Sequence, residues 1–254
     1  MKFIILKKRG VIVAVSLILA LLIASAVVIP VSSVQTFNRQ KRLLPIYSVK
    51  TDKQQIAISF DCAWGTDYTD KLLEIMQNNE VKCTFFAVEF WTKKHPDYVE
   101  KIYKAGHEIG THSATHPHMA KLNSSAIEKE LSTSKKAIED ITGEPVKLFR
   151  PPYGEYNDLV ISRASELGLY TIQWDVDSLD WKDLTASEIE GRVTSKVKNG
   201  SIVLFHNQGK HTASALDNII KKLKGKGYEF VKISDLIYKE NYHILPDGTQ
   251  VENK

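Results

Sequence analysis

The chain has 254 residues, with 34 Lys+Arg against 30 Asp+Glu and a 43% share of hydrophobic residues. That composition excludes a disordered chain, and two cysteines, Cys62 and Cys83, are too few for a disulfide scaffold. Eight of the basic residues precede Asp52, where no acid occurs, so the remainder is slightly acidic at 26 against 30 and offers no basic face for a nucleic acid.

Residues 1–10 form a basic flank with Lys7-Lys8-Arg9. They precede an uncharged stretch from Val11 to Val31 that is just long enough, at about 1.5 Å per residue, for a bilayer core of about 30 Å. The basic cluster should hold its own end in the cytoplasm. Two readings stay open: a retained transmembrane anchor, or a signal peptide cleaved near Ala24-Ser25-Ala26. Either places the rest outside the cytoplasmic membrane. Residues 32–51 read as a linker, residues 52–240 as the working domain and 241–254 as a tail.

Within the domain, β-branched or aromatic runs occur at Gln55–Asp61, Lys82–Val88, His107–Gly110, Val146–Arg150, Tyr170–Asp175, Ser201–His206 and Glu229–Lys232. Helical periods separate them: Leu72, Leu73 and Met76 share one face, as do Ile127, Leu131 and Ile138, then Ile219, Ile220 and Leu223. Several stop at glycine, as at Gly143 and Gly168. Strand–helix alternation at this spacing predicts a parallel sheet with enough units to close, or nearly close, a barrel. An open doubly wound sheet is the alternative.

The ends of these strands carry the chemistry. Asp61 closes the first, His112 and His116 follow the third, Arg150 ends the fourth, Asp177 follows the fifth and His206 ends the sixth. In a parallel barrel such ends meet on one face. Two imidazoles four residues apart suit a metal ion, and Cys62 is the nearest source of a third ligand. Asp61 at the end of an apolar strand needs a partner, which Arg150 can supply, and is then placed as a general base. His206 is the complementary acid, with Asp180 able to set its pKa. Tyr153 and Trp181 are loop aromatics able to stack on a sugar.

Five of these motifs together resemble the NodB-type polysaccharide deacetylases of carbohydrate esterase family four, over about Thr51 to Tyr238. Ser59-Phe60-Asp61-Cys62 resembles the family's T-F-D-D, and His112-Ser-Ala-Thr-His116 matches H-[ST]-x-x-H. Arg150-Pro-Pro-Tyr153 matches R-x-P-Y, Asp177-Ser-Leu-Asp180-Trp181 resembles D-x-x-D-W, and Leu204-Phe-His206 matches L-x-H. The surroundings of Trp64-Gly65 and Trp174-Asp175 look most like the PdaB-type enzymes of spore-forming bacteria.

The resemblance implies a distorted (β/α)7 barrel preceded by one hydrophobic helix. It implies removal of N-acetyl groups from an amino-sugar polymer such as peptidoglycan, with a role in sporulation and a place at the membrane, in secretion or in the spore envelope. It makes Asp61 the base, Arg150 its holder, His206 the acid and Asp180 the residue that tunes it. His112 and His116 become ligands of a divalent metal, zinc with cobalt as the alternative. The Tyr153 backbone N–H joins the oxyanion site, and Trp181 and Leu204 wall the acetyl pocket. A monomer is expected. One departure stands out: Cys62 occupies the place of the family's second aspartate, the third metal ligand. A thiolate can replace it, water can replace it, or the protein binds sugar without hydrolysing it.

Overall fold

The computed structural model describes residues 10, 13, 15–20 and 42–253. The chain falls into two compact units, Met1–Lys41 and Arg42–Lys254. In the first, the described residues of the apolar run are helical; the rest of that run, with residues 1–9 of the basic flank and residues 32–41 of the expected linker, lies outside the described residues. Among the described residues no helix is long and apolar enough to cross a membrane.

The second unit is built on parallel strands. They are β2 (Gln55–Cys62), β3 (Thr84–Ala87), β4 (Glu108–Thr111), β5 (Leu148–Phe149), β6 (Tyr170–Thr171), β7 (Val176–Asp177) and β8 (Ile202–His206), in the spatial order β6-β5-β4-β3-β2-β8-β7, with β9 (Glu229–Phe230) beside the start of β2. Every pairing among them is parallel. The sheet curls into the distorted (β/α)7 barrel that the resemblance implies, and it stays open between β6 and β7.

Of the run Tyr170–Asp175, expected to be one strand, only Tyr170–Thr171 is strand, as β6, and β7 starts just beyond it at Val176. These two short strands are the opposite edges of the sheet, so the chain between them crosses the opening rather than continuing a ladder.

Alternation along β2 sorts its side chains between two cores. Ile56, Ile58, Phe60 and Cys62 pack outward beneath the helices Thr69–Asn78 and Thr212–Gly225, among Leu72, Met76, Ile219 and Leu223. Ala57 belongs to the inner cluster with Phe86, Leu148, Ile172 and Ile202, and Ser59 and Asp61 follow it on the same face. The long helix between β4 and β5, Ser124–Thr142, starts with the Asn123 side chain accepting from the Ala126 N–H at 2.9 Å. It ends at Gly143, whose φ of +70° closes the helix in the left-handed region.

Two boundaries differ from the sequence reading. The segment from Arg42, assigned to the linker, is packed: Ile46 bridges Ile172 across the opening, and β1 (Ser48–Val49) runs beside the loop before β8. The Val49 N–H donates to the Gly200 carbonyl at 2.9 Å. Gly200, at φ +77°, passes so close that a Cβ there would sit 1.7 Å from the Val49 oxygen. The expected tail forms an antiparallel hairpin, β10 (Tyr242–Ile244) and β11 (Thr249–Glu252), and β11 pairs in parallel with β1. The domain therefore starts near Arg42 and includes the last strands.

Candidate active site

The strand ends converge as the parallel sheet requires. Asp61 and His206 are register partners on β2 and β8, and His112 and Arg150 directly follow β4 and β5. Asp61, His112, Arg150 and Asp180 are all buried.

Arg150 organises the floor. Its guanidinium is fully buried, donates to Asp61 Oδ1 at 2.8 Å and to Ser59 Oγ at 2.8 Å, and lies 4.2 Å over the Phe86 ring. Ser59 passes the contact on by donating to the Val203 carbonyl at 2.8 Å. Burial alone would raise the Asp61 pKa, but the Arg150 charge, helped by the neighbouring imidazoles, holds it below the ordinary carboxylate value. Asp61 is therefore an ionised carboxylate in a buried site.

His206 faces it from β8. Asp180 Oδ1 lies 2.8 Å from His206 Nδ1, and Oδ2 accepts both the His206 backbone N–H at 2.8 Å and the Thr212 hydroxyl at 2.6 Å. Burial would lower the imidazole pKa; hydrogen bonding and charge from Asp180 outweigh it and raise the value above 6.5. Leu204, two residues earlier on the same face of β8, is buried below His206. Trp181 follows Asp180 and is 57% exposed, with the Lys182 ammonium 4.9 Å from its ring centroid.

His112 and His116 lie with ring centroids 4.9 Å apart. The Arg150 carbonyl lies 2.7 Å from His112 Nδ1, which therefore carries the proton and leaves Nε2 with its lone pair, 3.5 Å from Asp61 Oδ2. Burial lowers both pKa values, that of His116 to about 4, so both rings are neutral, the form a metal ligand needs. His116 Nδ1 is buried without a partner among the described residues. The loop carrying the pair is held by Glu130 of the Ser124–Thr142 helix. Its carboxylate accepts from the Ala114 and Thr115 N–H groups at 2.9 and 2.8 Å and from the Thr115 hydroxyl at 2.8 Å.

Cys62 does not join the two imidazoles. It lies on the outward face of β2 in the helix-side core, fully buried, and burial followed by the Asp61 charge pushes its thiol well above the ordinary value. Packed among the outward-facing side chains of β2, Cys62 is placed as a core residue and not beside His112 and His116. Among the described residues no three His, Cys, Asp or Glu side chains are arranged to hold a metal ion. Two imidazole donors thus fit a divalent metal, and the three-ligand set expected of the motif is incomplete.

Tyr153 adopts φ +58° and exposes its ring, edge-on to His116 at 4.6 Å between centroids. Three contributors were missed in the sequence: Ser59, Glu130 and Asn207. Ser59 was legible, since it shares the face of Asp61 in an otherwise apolar strand. Glu130 has no sequence feature that sets it apart from the other charged residues of the Ser124–Thr142 helix. Asn207, buried and donating its backbone N–H to the Asp61 carbonyl at 3.2 Å, carried no signal of its own.

Residues 48–172 match the family model described as polysaccharide deacetylase. YlxY of Bacillus subtilis is 38% identical over 193 residues, 76% of this chain and 60% of that protein. A peptidoglycan-N-acetylglucosamine deacetylase of Bacillus cereus is 34% identical over 196 residues, 75% of this chain and 92% of that protein. The chain thus spans less than two thirds of YlxY, and only 44% of the Listeria monocytogenes deacetylase PgdA. Among solved structures, BA3943 of Bacillus anthracis, a CE4 family pseudoenzyme, superimposes with a TM-score of 0.74 at 33% identity, covering 83% of this chain and 73% of that one. A BA3943 mutant described as having restored enzymatic activity reaches the same TM-score at 38% identity, covering 76% and 70%. With its strand-end residues in place and the Bacillus cereus deacetylase matched over 92% of its length, this chain belongs to the polysaccharide deacetylase family.

Proposed function

We propose that the domain recognises N-acetylated amino-sugar chains of the peptidoglycan type and, with Cys62 in place, hydrolyses them weakly or not at all. The observation that carries this reading is the position of Cys62, buried on the far side of β2 from the two imidazoles. The pseudoenzyme character of the BA3943 fold relative supports it.

A second reading, a metal-dependent deacetylase, is favoured by the paired groups on either side of the pocket. Asp61 held ionised by Arg150, and His206 with its pKa raised by Asp180, form a base–acid couple that sugar binding alone does not require. In that reading His112 and His116 would hold zinc or cobalt, and the metal would supply an activated water and charge for the oxyanion. Asp61 takes the proton from the attacking water, and His206 delivers one to the departing amine. The Tyr153 N–H contributes to oxyanion binding, a type of contact worth about 3 kcal/mol. Trp181 and Leu204 flank the acetyl group.

In both readings the domain works outside the cytoplasmic membrane as a monomer, delivered or held by the segment 11–31. A place in the spore envelope rests on the subfamily resemblance alone.

The test is metal content and acetate release from N-acetyl chito-oligosaccharides and peptidoglycan, with zinc or cobalt added. The expected result is polymer binding with little acetate from the wild type, whether or not metal is added. Wild-type release that depends on added metal and disappears in His112→Ala would establish the second reading instead.

A further inference from the structure

Trp64 is 63% exposed, three residues beyond Asp61, and the machinery above does not use it. Its backbone is nevertheless firmly placed. The next residue, Gly65, accepts on its carbonyl from Trp91 Nε1 at 2.7 Å and from Asn207 Nδ2 at 3.0 Å. Asn207 follows His206, is 1% exposed, and also donates through its backbone N–H to the Asp61 carbonyl at 3.2 Å. Asp67 is tied to Gln208 as well. One buried asparagine thus fixes the Trp64 turn against the strand ends of both the base and the acid, while the indole itself is left in water.

The indole meets other aromatic rings. It stands edge-on to His116 with centroids 5.3 Å apart; His116 meets Tyr153 at 4.6 Å, and Tyr153 stacks on His118 at 4.6 Å with 20° between planes. His118 is fixed in turn by Glu155 at 2.9 Å. These four rings make a continuous ribbon across the catalytic face, exposed at both ends, with the reacting position beside its middle. A ring that only shielded His116 would itself be largely buried.

We infer that Trp64 is a stacking platform for a second sugar ring of the same chain, next to the sugar whose acetamido group lies between Asp61 and His206. The inference rests on the amino-sugar reading above and deepens it. The ligand is a linear β-linked amino-sugar oligomer rather than a single sugar. The C–H face of a pyranose ring is apolar and fits the negative face of an indole, and a platform held by Asn207 needs little ordering when the chain arrives.

Calorimetric titration of the full-length chain with N-acetyl chito-oligosaccharides of increasing length tests it. Wild-type affinity is expected to rise with length. Trp64→Ala should lose that gain, about tenfold for the longest oligomer or about 1.4 kcal/mol, while binding the shortest detectable oligomer unchanged. Trp64→Phe should keep most of it. A Trp64→Ala protein that binds long oligomers like the wild type, or loses short and long ones in equal proportion, overturns the platform. Should the wild type bind none of the series, the amino-sugar reading fails and the platform with it.

Discussion

The Asp180 carboxylate grips His206 at two points, with Oδ1 2.8 Å from the imidazole Nδ1 and Oδ2 2.8 Å from the backbone nitrogen. Ring and backbone are thus fixed by one group, and Thr212 fixes the carboxylate in turn. Gly209 is what lets the three meet: a Cβ there would lie 2.0 Å from the Thr212 hydroxyl and 2.7 Å from Asp180 Oδ2.

This grip sets a pH dependence. The folded His206 pKa is raised above 6.5, so its contribution to stability is fully present below the unfolded value and is lost as pH rises through the folded one. Asp180→Asn should lower the His206 midpoint in an NMR titration. The stability advantage of the wild type over Asp180→Asn, measured by urea unfolding, should shrink as pH rises from about 6 to about 9. An unchanged midpoint would show that Asp180 does not tune His206.

Arg150→Met removes the one Arg or Lys paired with Asp61 among the described residues and leaves a buried carboxylate unpaired. The expected loss is about 3–5 kcal/mol, read from the urea midpoint. Adding Asp61→Asn to that variant should recover part of it, because the stranded charge is then gone. A loss below about 1 kcal/mol would mean that water reaches Asp61.

Glu130→Ala breaks three hydrogen bonds to the loop between His112 and His116. The amide protons of Ala114 and Thr115 should exchange at least about tenfold faster, as the loss of about 1.4 kcal/mol of local protection requires. The strand amides of Phe85 and Phe86 should not change.

Neither thiol should react with a water-soluble disulfide reagent in the folded protein, and both should react in denaturant, since burial drives both pKa values up. Nor should they join to each other. The register Ser59↔Thr84 places Cys83 opposite Ile58, four residues along the strand from Cys62, or roughly 13 Å. Mass spectrometry under oxidising conditions should find both thiols free.

Much of this architecture was written in local pattern. The apolar runs that became β2, β3 and β8 alternate cleanly with helical faces, and titratable residues at their ends follow from parallel pairing alone. The run Tyr170–Asp175 misled because strand propensity does not say that Ile172 would cross an opening to meet Ile46. Two residues, Ser48 and Val49, are too few for a period, so β1 had no signature. The last hairpin did have one: Asp247-Gly248 lies between alternating residues, and Gly248 adopts φ +84°. The chemistry of Asp61, His112, His116, Arg150 and His206 was legible as types and spacing. The direction of Cys62 was not, because it depends on whether β2 stays regular through its final residue.

The small sheet that joins β1 to β11 has a mechanical consequence. Any pull entering the domain at Arg42 is taken up within a few residues by a ladder to the far end of the chain, Ser48 with Thr249 and Val49 with Gln250. Such a load acts along the strands and must shear several hydrogen bonds together instead of peeling them singly. Trimming Thr249–Glu252 would remove that anchorage and loosen Ile46 in the opening of the barrel. The two ends of the domain behave as one joint.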